Sequence, residues 1–392
     1  MSETAEQFSK LTDREHVRLR PGMYIGNVDQ QGLHHLAGEL INNSVDEVLA
    51  GHATQISVTI HSDGSLSVED DGRGISVDRH EEESTRLGRE ISTLEVAMTI
   101  LRRIKSSNQR RTSGVGLKAV NFLSQSCVTT VWRDGFEYQL RFAKGEVVGD
   151  LARLGQTSKH GTRVTFHADP EIFECGAKFE YHRLQTRLCE LAYLHPRLIA
   201  KIHDERTQEL HFEQGIGQLV QDLNWGRQSP TKWCSRYPVH TNVLRLEAEG
   251  KGTQLELALQ FTIAESELIQ TYVNDELMPE GGTPAIGLRR GITRAVHNYA
   301  KKMNFQSDDF PTGSDLRSGL TAVIMARLDD PRFAGATRHK IENPELNPLT
   351  DSAVYTFLQQ HFVAHPETFD KIWHQGVVAA RRRKREDQGM SS

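Results

Sequence analysis

The chain has 392 residues, a formal net charge of −5 and 37% hydrophobic residues, enough for two domains that each bury a core. The absence of a basic excess argues against a constitutive nucleic-acid binder. No apolar run reaches membrane-spanning length, and the N-terminal stretch lacks the apolar core of a secretory signal. Cys127, Cys175, Cys189 and Cys234 stand far apart with no C-x-x-C pair, which argues against zinc or a disulfide framework and fits a reducing cytoplasm.

The first strong periodicity runs from about Leu33 to Leu49 and predicts a helix stopped by Gly51. Leu36, Leu40, Ser44 and Val48 form one row, and Ile41, Val45 and Leu49 another. Between them lies a polar stripe of Glu39, Asn43, Asp46 and Glu47. A stripe flanked by apolar rows is predicted to be partly buried, where carboxylates are costly without partners. Glu39 suits a general base that activates a water against a γ-phosphate. Asn43, one turn on, offers a neutral oxygen to Mg²⁺, which takes few protein ligands beside phosphate oxygens and water. Taken alone, the stripe reads more readily as a solvated helix face; the two motifs that follow reverse that reading.

Gln55–Ile60 and Ser65–Asp70 alternate as a hairpin around Asp63-Gly64. Leu66, Val68 and Asp70 share one face, so the Asp70 carboxylate stands where a core residue would continue the pattern. It needs a donor there, and the exocyclic amine of adenine is one. Asp70-Asp-Gly-Arg-Gly-Ile75 follows, with Gly72 and Gly74 allowing close approach of backbone to a base and a sharp turn. Arg73 and Glu47 are predicted to pair. A plain acidic turn is the competing reading of this motif by itself.

Thr112-Ser-Gly-Val-Gly116 precedes an apolar-periodic helix, and glycines at a helix start expose N–H groups to an anion. Arg102, Arg103, Lys105, Arg110 and Arg111 lie just before it, in what would be an ATP lid or else a solvated loop. Gly161–Phe166 alternates as a strand that places Thr162 beside the Val164/Phe166 face, where its hydroxyl would assist Asp70. Arg133 would rim the pocket, or sit exposed on a turn. A boundary is expected near Glu213–Gly217, giving an ATP-binding domain over 1–214 and a second domain over 215–392. In the second domain, strands are predicted at Asn242–Leu246 and Leu255–Phe261. The helix after Gly287 has Arg290, Arg294, His297 and Lys301 on one stripe and Leu288, Ile292, Val296 and Tyr299 on the other side. A basic helix face holds phosphates without reading sequence; a solvated amphipathic helix is the plain alternative. The chain ends in a basic run, Arg381 to Arg385, and a short polar tail.

The Glu39/Asn43 helix, the Asp70–Ile75 turn and the glycines at 114 and 116, in that order, resemble the motif set of the GHKL (Bergerat-fold) ATPases. Arg18-Leu-Arg-Pro-Gly-Met-Tyr-Ile-Gly26, Gly32-Leu-His-His35, Asp46–Gly51, Tyr272–Asp275, Glu280-Gly-Gly-Thr283, Arg317-Ser-Gly-Leu320 and Asp330–Lys340 narrow the resemblance. They are similar to the B subunits of bacterial type II DNA topoisomerases, gyrase and topoisomerase IV, over roughly residues 10–385. The resemblance implies an α+β chain: an α/β sandwich with a mixed sheet, then a smaller β-α-β transducer domain. It implies that Glu39 is the base, assisted by Arg338 at the γ-phosphate. It implies ATP and Mg²⁺ as ligands, held by Asn43, Asp46, Glu47, Asp70 and Thr162, by the turn residues Gly72, Arg73, Gly74 and Ile75, and by the phosphate cradle Ser113, Gly114, Val115 and Gly116. It further implies a homodimer formed on ATP binding, double-stranded DNA held without sequence preference by Arg290, Arg294 and Lys301, and a cleavage protein of the topoisomerase A type as partner.

Four departures from that family's pattern qualify the expectation. The lid is short, with Ser113 where the family carries histidine. Ala336-Thr-Arg338 replaces the family's Gln-Thr-Lys, so arginine takes the place of the lysine and the glutamine contact is lost. The N-terminal arm has no tyrosine before Tyr24, Phe8 being the nearby aromatic. No acidic cleavage domain or tyrosine-nucleophile domain follows Arg385, so this polypeptide alone is not expected to cut DNA. The leading expectation is an ATP-hydrolysing dimeric clamp; the competing one is an ATP-binding regulatory or interaction protein with little turnover. Histidine kinases fit poorly because no phospho-acceptor helix precedes the site. Chaperone and mismatch-repair ATPases lack the Arg20–Gly26 and Glu280–Thr283 segments.

Overall fold

The structure, a computed structural model, describes residues 11–101, 115–226, 236–305, 309–335 and 337–387. The chain divides into two compact units, residues 1–212 and 213–392.

The first unit is built on an eight-stranded sheet of β1 (Gln55–Ile60), β2 (Leu66–Asp70), β3 (Ser124–Arg133), β4 (Phe136–Ala143), β5 (Glu146–Gln156), β6 (Gly161–Ala168), β7 (Ile199–His203) and β8 (Thr207–Leu210). The strand order is β5-β4-β3-β6-β2-β1-β7-β8. Among these strands only the β1/β7 pair is parallel, which makes the sheet mixed. Ile56, Val58, Leu66 and Val68 face a core shared with helices Gln30–Leu49, Gly116–Phe122 and Tyr181–Leu194. Ser57, Thr59, Ser67 and Thr165 alternate to the other face, as period-two strands require. The Gln30–Leu49 helix begins three residues before its apolar periodicity does. Asp29 caps it, its Oδ1 accepting the Gln31 and Gly32 N–H groups at 2.7 and 3.2 Å. Gly51 lies just past its end with φ +75°.

The second unit carries β9 (Leu244–Gly250), β10 (Thr253–Phe261), β11 (Leu268–Val273), β12 (Glu276–Leu277) and β13 (Leu320–Leu328), in the order β12-β11-β13-β10-β9. β11 and β13 are parallel and joined through helix Thr283–Lys302, a β-α-β crossover. That helix crosses helix Leu346–Ala364 very closely. A Cβ at Gly287 would stand 2.4 Å from Asn347 O, and one at Gly291 2.8 Å from Asp351 O. The final helix, Pro366–Asp387, buries Phe369, Ile372 and Trp373 in the core of the second unit, and its last turns are held by charge. Arg381 Nε and Lys384 Nζ reach Asp309 at 2.8 and 2.7 Å, Arg383 forks onto Asp315 at 3.1 and 3.0 Å, and Arg382 pairs with Glu265.

His240 is buried among these strands. Its Nδ1 bonds Asn242 O at 2.8 Å, and its Nε2 accepts the Phe261 N–H at 3.0 Å. Both nitrogens are therefore used by one neutral tautomer, and burial pushes the imidazole down from 6.5 to about 4. A histidine whose folded pKa is depressed stabilises the fold above its unfolded pKa and loses that contribution as pH falls. Unfolding of the full chain followed by hydrogen exchange at β9 and β10 should therefore show stability declining from pH 6.5 toward 4. The slope attributable to this group is at most about 1.4 kcal/mol per pH unit, and His240→Gln should flatten it.

Candidate active site

Asp70 closes β2 on the inward face begun by Leu66 and Val68, and only 4% of it is exposed. Ser44 Oγ donates to its Oδ2 at 2.8 Å and the Gly72 N–H to its Oδ1 at 3.0 Å. Burial pushes this carboxyl above the usual carboxylate range, and the donors from Ser44 and Gly72 oppose that shift. One inward carboxylate with room for a further donor is the arrangement an amine-bearing base would complete.

The turn after Asp70 is tied down from several elements. Asp71 points away from the pocket, its Oδ1 taking the Thr54 and Gln55 N–H groups at 2.7 Å each and its Oδ2 the Thr54 hydroxyl at 2.6 Å. Arg73 forks onto Glu47 at 3.0 and 2.7 Å, and its own N–H adds a third bond at 3.1 Å. That guanidinium holds the Glu47 carboxyl below its ordinary range. Arg133 donates to Gly74 O at 2.8 Å, so it does reach the rim of the turn. The Ile75 N–H donates to Thr162 Oγ1 at 3.1 Å. The Thr162 hydroxyl is thus engaged by Ile75, while its strand position pairs it directly with Asp70.

Glu39 lies on the half-buried stripe, with Asn43 one turn on and Asp46 and Glu47 beyond. Its Oε1 is 3.5 Å from His35 Nε2. Its other oxygen sits against the start of helix Gly116–Phe122: a Cβ at Gly116 would fall 2.0 Å from Glu39 Oε2. Val115 occupies the cap position of that helix, and no side chain caps it. The first unit therefore joins Glu39, Asn43, Asp70, Gly72, Arg73, Gly74, Ile75, Val115, Gly116 and Thr162 through one continuous set of elements. Ser113, Gly114 and the basic residues Arg102, Arg103, Lys105, Arg110 and Arg111 lie outside the described residues, as do Phe8, Cys234 and Ala336. The donor set fits Mg²⁺ held mainly by phosphate oxygens, since Asn43 contributes an amide oxygen rather than a charge. Among the described residues no group of three or more His, Cys, Asp or Glu side chains is placed to hold a metal ion.

The other predicted residues belong to the second unit. Arg338 is exposed with φ +56°, its guanidinium 5.5 Å from the Phe333 ring centroid. The basic stripe is less free than its sequence suggests. Arg290 Nε and Arg294 Nη2 both approach the Asp351 carboxylate, at 3.3 and 3.2 Å, and His297 Nε2 lies 3.0 Å from Pro311 O. Lys301 is exposed in the last turn. Sequence reasoning missed Ser44, which it counted in an apolar row. The available signal was a hydroxyl at a core position facing a buried carboxylate.

Two family models match the chain: "Histidine kinase-, DNA gyrase B-, and HSP90-like ATPase" over residues 28–172, and "DNA gyrase B" over residues 215–390. The B subunit of the type 2 topoisomerase of Aquifex aeolicus is 37% identical over 96% of this chain and 47% of its own length. The 43K ATPase domain of Thermus thermophilus gyrase B, solved with an aminocoumarin, is 32% identical with a TM-score of 0.83, covering 97% of this chain and 98% of that one. The chain belongs to the gyrase B family. Its fold is accordingly the GHKL α/β sandwich followed by the gyrase B transducer fold. The topoisomerase IV ATP-binding domain of Francisella tularensis is 28% identical, with a TM-score of 0.75 over 95% of this chain and 98% of that one. The chain spans about half the length of the curated topoisomerase and gyrase B subunits it matches, 47% to 59%. Among the described residues no helix is long and apolar enough to cross a membrane.

Asp70 is the residue where fold and site conflict. A carboxyl whose folded pKa is raised costs stability once pH rises through the interval between its unfolded and folded values. Asp70→Asn should therefore raise the melting temperature of the nucleotide-free protein at pH 7, with the gain shrinking toward pH 4 as the wild-type carboxyl protonates. The same variant should bind adenine nucleotides at least about tenfold more weakly, through loss of a charge-assisted bond. Thermal unfolding across that pH range checks the first half, and calorimetry with ADP the second.

Proposed function

We propose that this chain binds Mg²⁺·ATP and hydrolyses it, as the ATP-operated, dimerising DNA gate in the B component of a type II topoisomerase. The observation that carries the reading is the seating of the Glu39 carboxylate on Gly116, the first residue of the glycine-led helix, in the unit that also buries Asp70 for the base. In this reading Glu39 takes a proton from a water as its oxygen bonds the γ-phosphorus, and the bond from that phosphorus to the β–γ bridging oxygen breaks. Asn43 supplies the protein's oxygen to the metal, and the Val115–Gly116 backbone faces the phosphates. Arg338 is proposed as the γ-phosphate contact of the second unit, its planar guanidinium replacing a point charge. ATP-driven pairing of two copies, and association with a cleavage protein of the A type, complete the assembly.

Lys301, Arg290 and Arg294 are proposed to face duplex DNA. One carboxylate, Asp351, takes up charge from both arginines, so DNA binding by this face should be weak, with a shallow salt dependence because few phosphates are neutralised.

The test is steady-state ATPase activity of the purified chain with Mg²⁺, with and without DNA. Turnover should rise more than linearly with protein concentration. Glu39→Ala should lower it at least about 100-fold while retaining nucleotide binding. Gly116→Ala should lower it comparably without unfolding, because the added methyl displaces the flexible end of Glu39 rather than backbone. ATP binding without Glu39-dependent turnover would instead favour a nucleotide-sensing regulator.

A further inference from the structure

The carbonyl of Gly72 is held from outside the residues so far assigned. His160 Nδ1 lies 3.1 Å from Gly72 O. A ring nitrogen facing a carbonyl oxygen bears the proton, so Nδ1–H donates. His160 opens a three-residue stretch that grips the turn at successive points. Gly161, at φ +120°, passes so close beneath the turn that a Cβ there would meet Asp70 O at 1.9 Å. Thr162 then takes the Ile75 N–H. Gly72 is thus tethered on both sides of its Cα: the carbonyl of the following peptide by His160, and the N–H of the preceding peptide by the carboxylate of Asp70 at 3.0 Å. Glycine is the residue whose backbone drifts most readily when one tether is cut. Rotation of Gly72 would withdraw its N–H from Asp70, the group expected to meet the base.

We propose that His160 is a positioning residue for the nucleotide: it holds Gly72, and through Gly72 the Asp70 carboxylate, and so sets affinity for the adenine end without touching the chemical step. The proposal rests on the ATP reading of the site. Glu39 and Gly116, which carry the phosphate chemistry in that reading, sit on other elements. His160 is itself exposed, so its removal leaves the core intact. What is lost is preorganisation, since the turn must then be ordered when ligand binds.

The experiment uses the full chain with His160→Ala, His160→Asn and His160→Gln, titrated calorimetrically with ADP and with a non-hydrolysable ATP analogue. An asparagine Nδ2 occupies nearly the place of a histidine Nδ1, whereas a glutamine amide does not. His160→Ala should raise Kd for both nucleotides about five- to tenfold, the size of one neutral hydrogen bond, and raise KM with kcat unchanged. His160→Asn should restore affinity and His160→Gln should not. Hydrogen exchange at the Gly72 amide, without nucleotide, should speed up by a similar factor in the alanine variant and recover in the asparagine one. Unchanged Gly72 exchange, equal behaviour of the asparagine and glutamine variants, or a fall in kcat at constant KM would overturn the proposal. Wild-type protein that binds neither nucleotide would overturn the ATP reading instead, and Gly72 exchange would still decide whether His160 holds the turn.

Discussion

The first unit is organised around one costly choice: a carboxylate at a position where the β2 pattern calls for an apolar side chain. Leu66 and Val68 bury as expected, and Asp70 then brings a charge into the same face. Such a group persists only with donors around it, and the chain provides them from three directions, the helix through Ser44, the turn through Gly72 and β6 through the Thr162 backbone. The following residues cannot then be left loose. Asp71, Arg73, Gly74 and Ile75 are each bonded to a different partner, Thr54, Glu47, Arg133 and Thr162. Strands β1, β3 and β6 and the Gln30–Leu49 helix meet at this turn because it needs all of them. Base recognition of the kind proposed would gain from that stiffness, since the turn is ordered before a ligand arrives.

The parts of this arrangement legible in the sequence were those set by short-range periodicity. The polar stripe on the first long helix, the Asp63-Gly64 hairpin and the inward face of β2 all follow from spacing over a few residues. The Glu47–Arg73 pair was also readable, because both members sit in recognisable motifs. Ser44 was not, because a small hydroxyl residue on an apolar row is usually a filler; its role depends on a carboxylate 26 positions away. Asp71 illustrates the same limit. Strand alternation marks Asp70 as the inward one of the two aspartates, but Asp71 holding the start of β1 depends on Thr54 and Gln55, which no local spacing connects to it.

Charge was the property that sequence described least well. The Arg290/Arg294 stripe and the basic run near the C-terminus both look like solvent-facing cations. In the structure their partners come from distant segments: Asp351 from the helix crossing at Gly287 and Gly291, Asp315 from the short helix Gly313–Leu316, and Asp309 and Glu265 from loops and turns. The close crossing matters here, because only glycine lets the two helix backbones approach near enough to put Asp351 between two guanidinium groups. Counting basic residues therefore overstates the positive potential these helices present.

The clamp on the last helix has a mechanical consequence. Arg381 and Lys384 converge on Asp309 from adjacent turns, and Arg383 grips Asp315 between them. Three side chains spaced along about one turn resist bending as well as sliding, so the end of this helix moves with the short helix Gly313–Leu316 and the segment around Asp309. Beyond the buried Ala379 and Ala380 its hold is ionic, and these contacts lie near the surface, where the screening length is about 8 Å at physiological ionic strength. The helix end thus behaves as a lever arm whose rigidity depends on the ions around it: firm in dilute buffer, compliant in concentrated salt.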